Sequence, residues 1–235
     1  MKKEKTMKQN IFTFLLSLGI LAVGISGCEK NAGNYDQYID QAEKVYPGKP
    51  KSLTIFQGYN RAQISALMSP DPRVVKMRLY WNNRRDSIDT EITAADLAKA
   101  KLVNIATIGE GVYTFEAVTF DATGKRSVIL SKTGSILGDN YLSTLFNRVL
   151  KAKITVGTEK AVSWYSETDT ASTMAGVRVA YPLRTGGTGV IFTKKLRDTT
   201  ILTNALVGGS MSIKTAYLPK NAIDTFYSKT EILAY

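Results

Sequence analysis

Histidine is absent from the 235 residues, and cysteine occurs once. The first absence excludes a Ser-His-Asp triad, a Cys-His dyad and every imidazole metal site. The second leaves one thiol with no partner for a disulfide or a zinc cage. Acid is also scarce: 20 aspartates and glutamates stand against 31 lysines and arginines, a formal net charge of +11. No calcium loop of alternating Asp or Asn ending in Glu occurs, and no glycine-rich phosphate loop follows a strand. The nearest imitation, "RTGGTG" at residues 184–189, lies between two alternating apolar segments and reads as a hairpin turn. A carboxylate pair for glycoside hydrolysis stays open, because its spacing is set only in three dimensions. The expectation is a non-enzymatic protein that needs no cofactor and no metal.

What is present begins with a basic segment, "MKKEKTMKQN", followed by the apolar run "IFTFLLSLGILAVGI" at residues 11–25. At about 1.5 Å per residue that run reaches only about 22 Å, short of the roughly 30 Å hydrocarbon core. A cleaved export signal fits it better than a permanent span. The next residues, "ISGC", place small Ser26 and Gly27 directly before Cys28, and they resemble a bacterial lipobox. A lone cysteine is otherwise most often a buried core residue, but this one stands between a signal-like segment and a polar linker. The resemblance implies removal of residues 1–27 and a diacylglycerol on the Cys28 thiol, with three acyl chains holding the mature protein to a membrane. The expected location is exported and lipid-anchored to the outer membrane, on the cell surface or the periplasmic face.

Export changes the meaning of the charge. The removed segment carries Lys2, Lys3, Lys5 and Lys8 against Glu4, so the rest stays basic. Such a balance in the cytosol would point to nucleic acid. An exported protein meets anionic glycans, lipopolysaccharide and membrane headgroups instead, so no nucleic-acid partner is expected. Only Arg84–Arg85, Lys125–Arg126 and Lys194–Lys195 are tight basic pairs, and a generally solvated basic surface accounts for most of the remainder.

Residues 28–48 are polar and read as a lipidated tether ending at the breaker "YPGKP". Short alternating segments follow at sandwich-like spacing: "SLTIF", "AQISALM", "VVKMRLYW", "SIDTEI", "LVNIATI", "GVYTFEAVTF" and "SVIL". Within "VVKMRLYW", Val75, Met77, Leu79 and Trp81 share one face, while Lys76, Arg78 and Tyr80 share the other. "TAADLAKAK" reads as one helical turn capped by Thr93. The segment "GVYTFEAVTFDATGKRS" resembles the penultimate strand, turn and last strand of a fibronectin type III domain. The resemblance puts Tyr113 at the tyrosine corner, with Phe115 and Ala117 inward. It departs at the second strand, where Leu67 stands in place of the usual Trp.

A second unit is expected from residue 133, giving domains at 49–132 and 133–235. In "GDNYLSTLFNRVLKA", Asp139 is the expected helix N-cap, and Tyr141, Leu142, Leu145, Phe146 and Val149 follow at helical spacing. "KITVG", "AVSWYS", "GVRVAYPL", "GVIFTKKL", "TILTNAL", "MSIKTAYLP" and "AIDTFYS" then read as strands. The predicted fold class is all-β, with two β-sandwich-like domains of fibronectin type III or immunoglobulin kind in tandem. Several stretches, above all "YWNNRRDS" and "LPKNAIDTFYS", resemble Bacteroidetes exported lipoproteins that share a domain of unknown function. That resemblance implies a membrane-anchored β protein associated with glycan acquisition.

The functional expectation is a binding module for carbohydrate or for an envelope protein in a glycan-uptake assembly. A structural or adhesion spacer is the alternative, and a carboxylate glycosidase a distant third. Sugars stack on exposed aromatic rings, so Tyr80, Tyr165 and Tyr59 are the ligand candidates. Trp81 and Trp164 fall on inward faces and read as core. Ser87, Thr170 and Thr199 each follow an aspartate in a pattern that resembles the O-glycosylation acceptor of exported Bacteroidetes proteins.

Overall fold

A computed structural model describes residues 45–235. The expected signal peptide, Cys28 and all but the end of the tether lie outside the described residues. Residues Tyr46–Tyr235 form one compact unit, built from two antiparallel sandwiches.

The first contains β1 (Ser52–Gln57), β2 (Ala62–Leu67), β3 (Lys76–Trp81), β4 (Asp86–Glu91), β5 (Ala100–Ile105), β6 (Gly111–Phe120) and β7 (Leu130–Ile136). A three-stranded sheet β1-β2-β5 packs on a four-stranded sheet β4-β3-β6-β7. Period-two alternation does the work: Ala62, Ile64 and Ala66 of β2 face Met77 and Leu79 of β3 and Phe115 of β6, and all are buried. Each of the larger side chains, Ile64, Met77, Leu79 and Phe115, contributes about 1.5–3 kcal/mol on burial. Trp81 packs at the margin of this core, as does Tyr113. Val75 does not share their face; it precedes β3 and is exposed. The turn at Thr93 is present as a single 3-10 turn, Ala94–Asp96, closed by a Thr93–Asp96 capping box.

The second sandwich contains β8 (Leu150–Val156), β9 (Glu159–Trp164), β10 (Met174–Pro182), β11 (Thr188–Lys194), β12 (Thr199–Leu202), β13 (Ser210–Tyr217), β14 (Phe226–Tyr227) and β15 (Glu231–Ala234). Its sheets run β12-β9-β8 and β11-β10-β13-β14, with β15 also on β13. Counted within each half, both domains pair strands 1-2-5 in one sheet and 4-3-6-7 in the other. The chain is a structural repeat, in keeping with the expected tandem arrangement. Trp164, Val177, Val179, Met211 and Ile213 form the second core. The 184–189 segment is the expected hairpin turn, with Gly186 and Gly187 at φ of 86° and 83°.

Three expectations are corrected. The strand closing the first sheet is not "SVIL"; it runs to Ile136, so the expected boundary at 132/133 falls inside β7. Gly134 stands where β7 closes on β1: a Cβ at Gly134 would stand 2.6 Å from Ile55 Cδ1. The helix is only Asp139–Ser143 (α1), Gly138 holds the N-cap position, and Phe146 and Val149 leave it exposed. Finally, "AIDTFYS" contributes only two strand residues, and "EILA" supplies the missed strand β15.

The residues displaced from strand form a joint. Asn221 and Ile223 extend the edge of β1: Gln57 N–H donates to Asn221 O at 3.0 Å, and Ile223 N–H to Gln57 O at 2.8 Å. Asp224 accepts the Tyr59 N–H at 2.8 Å and Arg61 Nε at 3.0 Å, with a second Arg61 bond beside it. Glu110 caps α1, accepting Asn140 N–H at 2.7 Å and Tyr141 N–H at 2.8 Å. Asp224→Ala should leave Tyr59 N–H and Arg61 unpaired and open this joint without unfolding either core. Hydrogen exchange at Tyr59 and Ile223 should accelerate roughly tenfold; unchanged rates would contradict the role. Arg61 holds the Asp224 carboxyl below its usual range. The joint is therefore firm above the ordinary carboxylate range and loosens as pH falls through the depressed value.

Candidate functional site

The outward face of the sheet β4-β3-β6 is built in three cross-strand rows. Ser87, Tyr80 and Glu116 form the first; Asp89, Arg78 and Val118 the second; Glu91, Lys76 and Phe120 the third. The sequence places Lys76, Arg78 and Tyr80 on one face by alternation, and the register adds Val118 and Phe120 beside them.

Cations and rings alternate along this face. Arg78 Nε and Nη2 bind Asp89 at 2.5 and 2.7 Å, and its guanidinium lies 5.9 Å from the ring centroids of both Tyr80 and Phe120. Lys76 Nζ sits 4.9 Å from the Phe120 ring. Beyond the end of β3, Asn82, Asn83 and Arg84 take left-handed φ of 51°, 53° and 62°. Three such residues in succession curl the hairpin back over the sheet. Arg84 thereby reaches Glu116 at 2.5 Å and lies 5.9 Å from the Tyr80 ring.

Arg126 completes the arrangement. With Arg78, Arg84, Tyr80 and Phe120 it surrounds a hollow of about 200 Å³ floored by Val118 and Ile129. Arg78 and Arg84 already hold carboxylates, and Arg126 has no ion pair among the described residues. The Arg78 guanidinium also keeps Asp89 below the usual carboxylate range. An apolar floor under three guanidiniums, one of them uncommitted, is chemistry for an oxyanion carried on a partly apolar ring.

The candidates read from sequence do not converge. Tyr80 is in the hollow, and exposed Ser87 lies beside it in the first row. Tyr59 is half-exposed at the joint, where its hydroxyl donates to Asp139 at 2.7 Å. Tyr165 is 57% exposed at the end of β9, in the other domain. Thr170 is exposed in the β9–β10 loop and Thr199 at the start of β12. Trp164 is core, as expected, and Trp81 half so. Sequence reasoning missed Arg84 and Arg126 as site residues. Each belonged to a noted basic pair, but no local signal says that both bend toward Tyr80.

The strand order defines the class: two fibronectin type III-like sandwiches in tandem. The chain belongs to the DUF4998 family, described as a domain of unknown function, which matches residues 28–226. Among solved structures it is similar to chicken CNTN1 FN1-FN3 domains, at 12% identity and a TM-score of 0.41, over 81% of this chain and 68% of that one. It is also similar to a two fibronectin type III domain segment from chicken tenascin, at 17% identity and a TM-score of 0.34, over 80% of this chain and 100% of that one. No curated protein matches the sequence.

Proposed function

We propose that this protein is a non-enzymatic envelope module, exported and lipid-anchored through Cys28, that binds acidic carbohydrate at the three-arginine hollow of its first domain. The carrying observation is the uncommitted Arg126 guanidinium beside Arg78 and Arg84 over the Val118–Ile129 floor. A uronate or sulfated sugar matches both halves of that hollow, its oxyanion on Arg126 and its C–H face on the floor. Neighbouring charges are already neutralised, so Arg126 is the group that discriminates acidic from neutral chains. A spacer or adhesion role is the second reading, favoured by the hydrogen-bonded joint at Asp224.

Affinity electrophoresis through polygalacturonate and through neutral dextran tests the first reading. Retardation should occur only in the acidic polymer, and Arg126→Ala should weaken it about tenfold or more, the worth of a charge-assisted hydrogen bond. Thermal stability should not change, because the exposed side chain has no side-chain partner among the described residues to lose. Equal mobility of wild type and variant in both gels would reject the carbohydrate reading and leave the spacer.

A further inference from the structure

We infer that the second domain carries a docking surface for an anionic lipid bilayer, centred on the β11–β12 turn. Leu196 at the tip of this turn is 80% exposed, and Lys194 and Lys195 precede it while Arg197 follows. The turn is fixed: Arg197 N–H donates to Lys194 O at 3.0 Å, and Lys195 N–H to Ala175 O at 3.0 Å. Behind the tip, Phe192, Met174 and Ala175 line an open, mainly apolar hollow of about 410 Å³.

The register continues the pattern across the sheet, where Phe192, Arg178 and Lys214 form one row. The repeat makes the comparison direct. In the first domain the third-strand Arg78 faces Asp89; in the second, Arg178 at the corresponding pairing faces Phe192. Arg178, Lys194, Arg197 and Lys214 have no carboxylate partner among the described residues, whereas the first-domain row is neutralised. Nearby acids are engaged elsewhere: Asp198 holds Arg148 and Ser166, and Glu167 and Asp169 accept amides of their own loop.

A rigid apolar tip with cations on both sides suits a surface that offers anions above hydrocarbon. Leu196 enters the acyl boundary while the ammonium and guanidinium groups stay among headgroup phosphates. A polyanionic glycan would answer the charges and could cover the Phe192 ring, but it has no hydrocarbon layer for the protruding Leu196 to enter. The bilayer answers both. This surface is separate from the Arg126 hollow, which lies in the first domain.

Residues 46–235 contain both cores and every contact described, so this unit, free of the anchor, can be sedimented with vesicles. Vesicles containing phosphatidylglycerol should pull it down and pure phosphatidylcholine should not, with retention falling as salt rises. Lys194→Ala should weaken binding about fivefold, and Leu196→Ser about tenfold. Arg126→Ala should change nothing here, which separates this surface from the carbohydrate reading. Equal pelleting with both lipids would overturn the inference. So would binding that is indifferent to Leu196→Ser and fully displaced by dextran sulfate, which would mark a glycan surface instead.

Discussion

Trp164→Ala should destabilise the second domain by about 3–5 kcal/mol, the range for deleting a fully buried aromatic. Trp164 is 1% exposed and lies against Val162 and the inner residues of β10 and β13. Its indole N–H donates to Thr200 Oγ1 at 2.8 Å, and that hydroxyl lies 2.5 Å from Thr193 Oγ1. Thr200 and Trp164 belong to one sheet, and Thr193 to the other. The hydroxyl pair therefore stitches the two layers through the core, and removal of the indole leaves a cavity and takes one of the two partners from the Thr200 hydroxyl. Trp164→Phe retains most of the volume and should cost less, about 1–3 kcal/mol. For a domain of this size the melting midpoint should fall roughly 4–8 °C for each kcal/mol lost. Trp81 then remains as the sole tryptophan, so fluorescence follows the first domain while calorimetry follows both. An unshifted second-domain transition in Trp164→Ala would contradict this account.

Arg148→Ala should be the next most severe change, at about 2–4 kcal/mol. This arginine is buried, yet its donors are matched: Nε and Nη2 to Tyr165 O at 3.0 and 2.9 Å, Nη1 to Arg197 O at 2.8 Å, and Nη2 to Asp198 at 2.7 Å. One planar fork thus ties the end of β9 to the start of β12. Alanine strands two carbonyls and opens a void, while half-exposed Asp198 returns to water. Arg148→Met refills the space without the donors, so the difference between the two variants measures packing against hydrogen bonding. Arg148→Lys should rescue only in part, because an ammonium cannot present the same fork. The Ser166 hydroxyl and the Arg148 guanidinium hold Asp198 below its usual range. Its contribution is therefore present at neutral pH and lost as pH falls through that lowered value. Urea denaturation at neutral and acid pH checks both statements; equal stability of all three variants would refute the hub. Because Arg148 also grips Arg197, its loss should loosen the Leu196 turn and weaken vesicle binding.

Where the sequence misled, the cause was specific. Phe146 and Val149 fit a helical stripe, but Glu110 from the first domain and Tyr217, whose hydroxyl donates to Phe146 O at 2.7 Å, set where the chain turns. "AIDTFYS" alternates like a strand, yet Asp224 is held by Arg61, more than 160 residues earlier, and the segment becomes a joint. Tyr59 looked like a free turn aromatic and is a member of that joint.

Alternation at period two is a property of neighbouring residues. The all-β class, the inward Met77, Leu79, Val177 and Val179, and the absence of imidazole chemistry were therefore legible in the sequence alone. Register and site belong to tertiary structure, because they depend on which distant strand lies alongside. Alternation puts Arg78 on an outer face, but only pairing sets Asp89 against it and Phe192 against Arg178. Only the left-handed hairpin brings Arg84 to the hollow that Arg126 completes.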